Sequence, residues 1–224
     1  MGRKIIIFGF PHCGTSILKS IIGHCRDVEE TYKETKSVSL SRKEFALCKF
    51  PFMSDDFFNK PEYKDYVKIF IVRHPIYVMS SINKRFKNNV QSNHSLEEYI
   101  KILEKFDKCS ETDLIFKIRY EDLFENNFFA LRRILETIGL HYTDDIFDNT
   151  KYKNYIVNNN PAPTEKPLNT NHGDYRTWQI NQPFKNFNSN EDLQLCEKQK
   201  IQIKDTPIIN KIYPSSMGIE TLTS

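Results

Sequence analysis

The chain has 224 residues, enough for one domain of ordinary size with its own core. Hydrophobic residues at 39%, aromatics at 13% and only 7 Gly and 10 Pro exclude a disordered or collagen-like chain. Thirty-two Lys plus Arg against 29 Asp plus Glu leave +3, too small a bias to argue for nucleic acid, though a small anion needs only a local positive pocket.

Residues 4–8 form a short apolar run rich in β-branched side chains, bounded by Gly9 and Pro11, and read as a buried strand. Residues 15–25 place Ile17, Leu18, Ile21 and Ile22 at helical spacing, so a helix follows the glycine loop. Strands are expected at 45–50 and 67–72, helices at 75–86 and 95–106, and a strand at 114–120. The clearest amphipathic helix runs from about 127 to 138 through Phe128, Leu131, Ile134, Leu135 and Ile138, stopped by Gly139. Residues 158–172 are rich in Asn, Pro and Thr and read as a long loop; helical turns return near 191–199 and 206–213. Strand–helix alternation of this kind predicts an α/β fold, a parallel sheet flanked by helices, with an irregular C-terminal segment. A single domain over 1–224 is expected, with 1–140 as the α/β core and 141–224 closing it.

Apolar runs such as Ile5-Ile6-Ile7-Phe8 and Ile69-Phe70-Ile71-Val72 fall far short of the ~20 residues that span a bilayer. The amino terminus reaches a Gly-Phe-Pro turn by Gly9, too soon for a signal-peptide core, so a cytoplasmic protein without a membrane span is expected. Five scattered cysteines without a Cys-x-x-Cys pair read as free thiols. His12, Cys13, His24 and Cys25 lack the usual zinc-ligand spacings, and no metal is expected.

The strongest feature is Gly9-Phe10-Pro11-His12-Cys13-Gly14-Thr15-Ser16, between the first strand and the first helix. Such a junction aims backbone N–H groups and a positive helix end at one point, which suits a phosphate or sulfate, and Thr15 and Ser16 add hydroxyls. A Walker loop needs lysine where Thr15 stands, so a P-loop nucleotide or small-molecule kinase would lack its central cation. A phosphatase loop would use Cys13, but Lys19 occupies the place of its arginine. An ordinary capped turn is the plainest alternative.

The pattern Gly-x-Pro-[basic]-x-Gly-Thr-[Ser/Thr]-x-Leu resembles the 5′-phosphosulfate loop of the sulfotransferases that use 3′-phosphoadenosine 5′-phosphosulfate (PAPS). That family carries a second element, an arginine ending a strand with Pro two and Ser eight residues on; Arg73, Pro75 and Ser81 match it. The resemblance implies that Arg73 and Ser81 clamp the 3′-phosphate, by charge and by hydroxyl. Arg119-Tyr120-Glu121-Asp122-Leu123 and Gly139-Leu140 look like a third element, in which Tyr120 approaches the adenine. The resemblance covers residues 4–140; beyond, it rests on Tyr175-Arg176-Thr177-Trp178, near the family's tryptophan and basic closing loop. Taken together, these motifs lie closer to the carbohydrate and tyrosylprotein branch than to the cytosolic small-molecule branch.

The family's P-loop-like fold is therefore implied, with PAPS as donor substrate, adenosine 3′,5′-bisphosphate (PAP) as product and no metal. The resemblance implies an acceptor hydroxyl, with an amine as the alternative, on a carbohydrate, a protein tyrosine, a lipid or a small molecule. Pro11, His12, Cys13, Gly14, Thr15 and Ser16 would hold the 5′-phosphosulfate. Where the family has Lys or Arg this chain has His12, which neutralises the leaving oxygen only when protonated, or acts more weakly as a neutral donor. The family often has Asp after the strand-end arginine; His74 stands there and receives no catalytic role. Glu34-Thr35-Lys36 resembles the Glu-Thr-Arg stretch of the tyrosylprotein branch, which makes Glu34 the candidate base, with Glu29 and Glu30 as rivals. Lys49, in Lys49-Phe50-Pro51, matches the family's strand-end Lys-x-Pro and would stabilise the transferring sulfuryl group. A non-catalytic nucleotide-binding module on the same scaffold stays open beside the enzyme readings.

Overall fold

The computed structural model describes residues 2–31, 34–36, 41–86, 92–148 and 193–214, with the backbone of 156–157 and 160–161. Its centre is a five-stranded sheet, β1 (Arg3–Phe8), β2 (Val28–Glu30), β3 (Phe45–Phe50), β4 (Val67–Val72) and β5 (Ile115–Arg119), in the order β2-β3-β1-β4-β5. Every neighbouring pair is parallel. The isoleucine and phenylalanine runs form strands because both faces of such a sheet are covered, so alternate residues need not be polar. Ile5, Ile6, Ile7 and Phe8 are all fully buried. A separate antiparallel pair joins β6 (Ile156–Val157) to β7 (Asn160–Pro161).

The helices are α1 (Thr15–Gly23), the single turn α2 (Asp56–Asn59), α3 (Pro75–Phe86), α4 (Leu96–Lys108), α5 (Phe129–Ile138), α6 (Glu197–Asp205) and α7 (Pro207–Ile212). They divide between the two sheet faces. Ile5, Ile7, Ile69 and Ile71 pack with Leu18 and Ile21 of α1 and Leu131 and Leu135 of α5. Ile6, Phe8, Phe70 and Val72 pack with α3, α4 and the C-terminal helices through Met79, Leu103, Ile203 and Ile209. The expected α/β architecture is thus present.

Residues 193–213 pack as part of the second core. The Ser80 hydroxyl accepts from the Gln194 N–H at 3.0 Å, and Asn83 Nδ2 donates to the Gln194 carbonyl at 2.7 Å. Arg119 grips Asp122 with two nitrogens at 2.7 and 2.8 Å and donates a third bond to the Ile212 carbonyl. Most of the 158–172 loop, together with Tyr175–Trp178, lies outside the described residues. Among the described residues no helix is long and apolar enough to cross a membrane.

Candidate functional site

The layer arrangement locates a crevice. β1 is followed by α1 on one face of the sheet, whereas its neighbours β3 and β4 lead to α2 and α3 on the other. At the carboxyl end of β1 the chain therefore parts from both neighbours, which is where open α/β sheets bind ligands.

The glycine loop occupies that point, and two glycines make it possible. A Cβ on Gly9 would sit 2.2 Å from the Ile71 carbonyl oxygen. Gly14 has φ +94° and would drive a Cβ to 2.4 Å from the Tyr120 ring. Between them His12 adopts φ 70°, a left-handed backbone that costs a non-glycine residue free energy and persists at sites where it serves a purpose. Its Nδ1 lies 2.8 Å from the Ser81 hydroxyl, joining the loop to α3. No side chain caps α1, which leaves the first-turn N–H groups without a side-chain cap at the end of the loop. Pro11, Cys13 and Thr15 are buried, while His12, Gly14 and Ser16 are partly exposed.

On the β3 side of the loop, Lys49 is 6% exposed. Its ammonium donates to Ser16 Oγ at 2.5 Å and stands 3.0 Å from Glu34 Oε1. Burial, then the nearby Lys19 cation, pushes Lys49 down to about 7 from its ordinary value, while the Glu34 carboxylate works in the opposite direction. Glu34 reaches this place because the segment after β2 keeps running beside β3: Thr31 N–H bonds to the Leu47 carbonyl and Thr35 N–H to the Lys49 carbonyl. The rival carboxylates go elsewhere. Glu29 accepts from Ser41 and the Arg42 N–H in an exposed turn, and Glu30 pairs with Lys19 at 3.0 Å.

On the β4 side, the Arg73 guanidinium lies 4.3 Å from the Tyr120 ring centre, and its buried Nε has no hydrogen-bond partner. Tyr120 is 2% exposed, with Gly14 and Arg73 packed against its ring, so it supports the arginine. Tyr99, read from the sequence only as part of the apolar face of α4, does more. Its hydroxyl accepts from the Arg73 N–H at 2.9 Å, donates to the Arg73 carbonyl and accepts from Cys13 Sγ at 3.3 Å. Nothing in the helical pattern marks that hydroxyl; only the fold brings it to the end of β4.

The environment of Cys13 is unlike that of a phosphatase nucleophile. Its thiol is fully buried and pushed up to about 12 by burial, the reverse of the activated thiolate a cysteine phosphatase needs. Among the described residues no group of three His, Cys, Asp or Glu side chains is placed to hold a metal ion. A hollow of about 290 Å³ beside β5, lined by Phe106, Lys117, Arg119 and Lys211 among others, includes none of the crevice residues.

The loop thus meets three groups: Lys49 with Glu34 through Ser16, Ser81 through His12, and Arg73 with Tyr120 through Gly14. It can accept an extended dianion, with cations at either end and amide groups between them.

No family model and no curated protein sequence matches the chain. Solved structures do. The mouse sulfotransferase SULT7A1, crystallised with PAP, superposes with a TM-score of 0.56 at 15% identity, covering 94% of this chain and 89% of that one. The sulfotransferase domain of the Synechococcus PCC 7002 olefin synthase gives a TM-score of 0.54 at 14% identity, covering 94% of both chains. The chain has the fold of the PAPS-dependent sulfotransferases.

Proposed function

We propose that this protein is a sulfotransferase that moves a sulfuryl group from PAPS to an acceptor hydroxyl. The observation that carries the reading is the unpartnered, buried Nε of Arg73 across the glycine loop from the Lys49–Glu34 pair. A nucleotide with phosphate at both ends needs such a two-ended positive site, and the fold is one on which mouse SULT7A1 holds PAP.

In this reading Arg73 and Ser81 hold the 3′-phosphate, Tyr120 and Tyr99 set the position of Arg73, and the amides of residues 11–16 hold the 5′-phosphosulfate. Glu34 takes the proton of the acceptor hydroxyl as its oxygen bonds to sulfur. The S–O bond to the 5′-phosphate breaks, and the leaving oxygen is neutralised by His12. The products are a sulfate ester and PAP. Before the donor binds, Lys49 is paired with Glu34; donor oxygens then compete for the ammonium, which moves onto the sulfuryl group and releases the carboxylate to the acceptor. Positioning and charge neutralisation supply most of the acceleration, with protein cations in the place of magnesium. The whole chain acts as one cytoplasmic domain, and its acceptor is a carbohydrate, protein tyrosine or small-molecule hydroxyl.

Thermal unfolding with PAP against ATP plus magnesium tests the donor class. Ligand at 100-fold over its Kd adds ~2.7 kcal/mol to stability. PAP is expected to raise the melting temperature; a shift with ATP–magnesium and none with PAP overturns the reading in favour of a kinase. PAP binding without transfer to any acceptor in a broad screen would favour a binding module.

A further inference from the structure

Three buried side-chain polar atoms without hydrogen-bond partners come from elements that meet at the end of β4: Arg73 Nε, Glu121 Oε2 and the Tyr213 hydroxyl. Glu121 is 2% exposed, yet only one of its oxygens is used: Oε1 accepts the His74 N–H at 2.8 Å. His74 opens α3, its own Nδ1 accepts the Ile76 N–H at 3.3 Å, and its ring lies 4.8 Å from that of Tyr213. The main chain at Arg73–His74 is thus held twice, by the Tyr99 hydroxyl on Arg73 and by the Glu121 carboxyl on His74. Burying a carboxyl this deeply with one oxygen unpaired is costly, and the turn it holds carries Arg73.

We propose that Glu121 is the positioning residue of the 3′-phosphate clamp: its carboxyl fixes the Arg73–His74 turn, and its charge is balanced against the phosphate that Arg73 receives. The proposal rests on the donor reading above. The groups facing Glu121 are Arg73 and His74 on the β4–α3 turn, Tyr77 on α3, Arg119 at the end of β5, Cys13 in the glycine loop, its neighbour Asp122, and Tyr213 after α7. Burial, the largest influence, raises Glu121 to about 7 against the opposing effects of the His74 N–H and Arg73. A dianionic 3′-phosphate arriving at Arg73 adds negative charge nearby and favours the protonated carboxyl. Ionisation of Glu121 as pH rises through about 7 therefore opposes phosphate binding. Glutamine keeps the acceptor for His74 and cannot ionise; alanine leaves a buried N–H unpaired.

The experiment is calorimetric titration of wild type, Glu121→Gln and Glu121→Ala with PAP and with 5′-AMP, which lacks the 3′-phosphate, at pH 6 and pH 8.5. Wild type should prefer PAP. Glu121→Ala should lose roughly tenfold or more of that preference with its AMP affinity little changed. Glu121→Gln should keep the preference and gain on wild type in PAP affinity as pH rises. Should the alanine variant fail to fold, the glutamine comparison decides alone. A folded Glu121→Ala with undiminished preference, or identical pH dependence in Glu121→Gln and wild type, overturns the inference while leaving the donor reading intact. A wild type that binds no PAP at either pH overturns both.

Discussion

Replacing Lys49 with methionine should stabilise the fold and abolish transfer. In the fold this lysine titrates at about 7, against 10.5 when exposed. At neutral pH that difference amounts to roughly 4 kcal/mol of cost for holding the cation in a buried site. The Glu34 carboxylate at 3.0 Å opposes the cost, and the side chain of Glu34 is 30% exposed, so water can take over its solvation once the lysine is gone. We therefore expect Lys49→Met to gain ~1–3 kcal/mol at pH 7, the signature of a residue kept for function against stability. The sign of the pH dependence follows. A lysine with a depressed folded pKa contributes stability that is fully present above about 10.5 and is lost as pH falls through about 7. Wild type should gain stability between pH 7 and pH 10 relative to the variant, and the advantage of methionine should shrink across that window. Urea unfolding at pH 7 and pH 10, with PAPS turnover measured on the same samples, provides the assay. A variant that loses several kcal/mol at pH 7 would show that the Lys49–Glu34 pair is there to hold β3 and its neighbours together. A variant that retains turnover would remove Lys49 from the chemistry.

Arg73→Ala removes the guanidinium above Tyr120, and a lost charge-assisted contact of ~1.5–3 kcal/mol should raise KM for PAPS roughly 10–150-fold. A donor lacking the 3′-phosphate should be far less affected; equal losses with both donors would mean the arginine is structural. Glu34→Gln should cut turnover roughly 10²–10⁴-fold with PAP affinity nearly intact, as read from kcat alongside PAP titration. Near-normal turnover would clear it of the role of base. His12→Ala should lose roughly 10²–10³-fold in kcat, whereas His12→Lys, which supplies a permanent cation, should keep or improve it. A lysine variant as impaired as alanine would exclude His12 as the cation at the leaving oxygen.

The strands at 45–50 and 67–72 and the helix at 75–86 end where the pattern of residues predicts. There, mostly apolar runs are followed closely by prolines, and local chemistry agrees with the fold. Gly139 stops α5 with φ +84°, as expected of a residue free to turn left-handed. The glycine loop, Arg73 and Ser81 were legible for a similar reason: each belongs to a contiguous motif whose spacing is itself the signal. β2 was not, since three residues with two glutamates carry no strand pattern and owe their conformation to pairing with β3. That pairing separates Glu29, Glu30 and Glu34 in space, which the sequence could not do. Only the chain running on beside β3 brings one of them to Lys49. Tyr120, read from its motif as approaching the adenine, is buried against Arg73, a contact no motif spacing announces. Tyr99 and Glu121 acquire their places at the Arg73–His74 turn from elements 26 and 47 residues away along the chain. Local propensity and motif spacing act over a few residues. Which hydroxyl or carboxylate reaches a given backbone amide depends on how the helices pack against the sheet, and that is set by burial summed over the entire core.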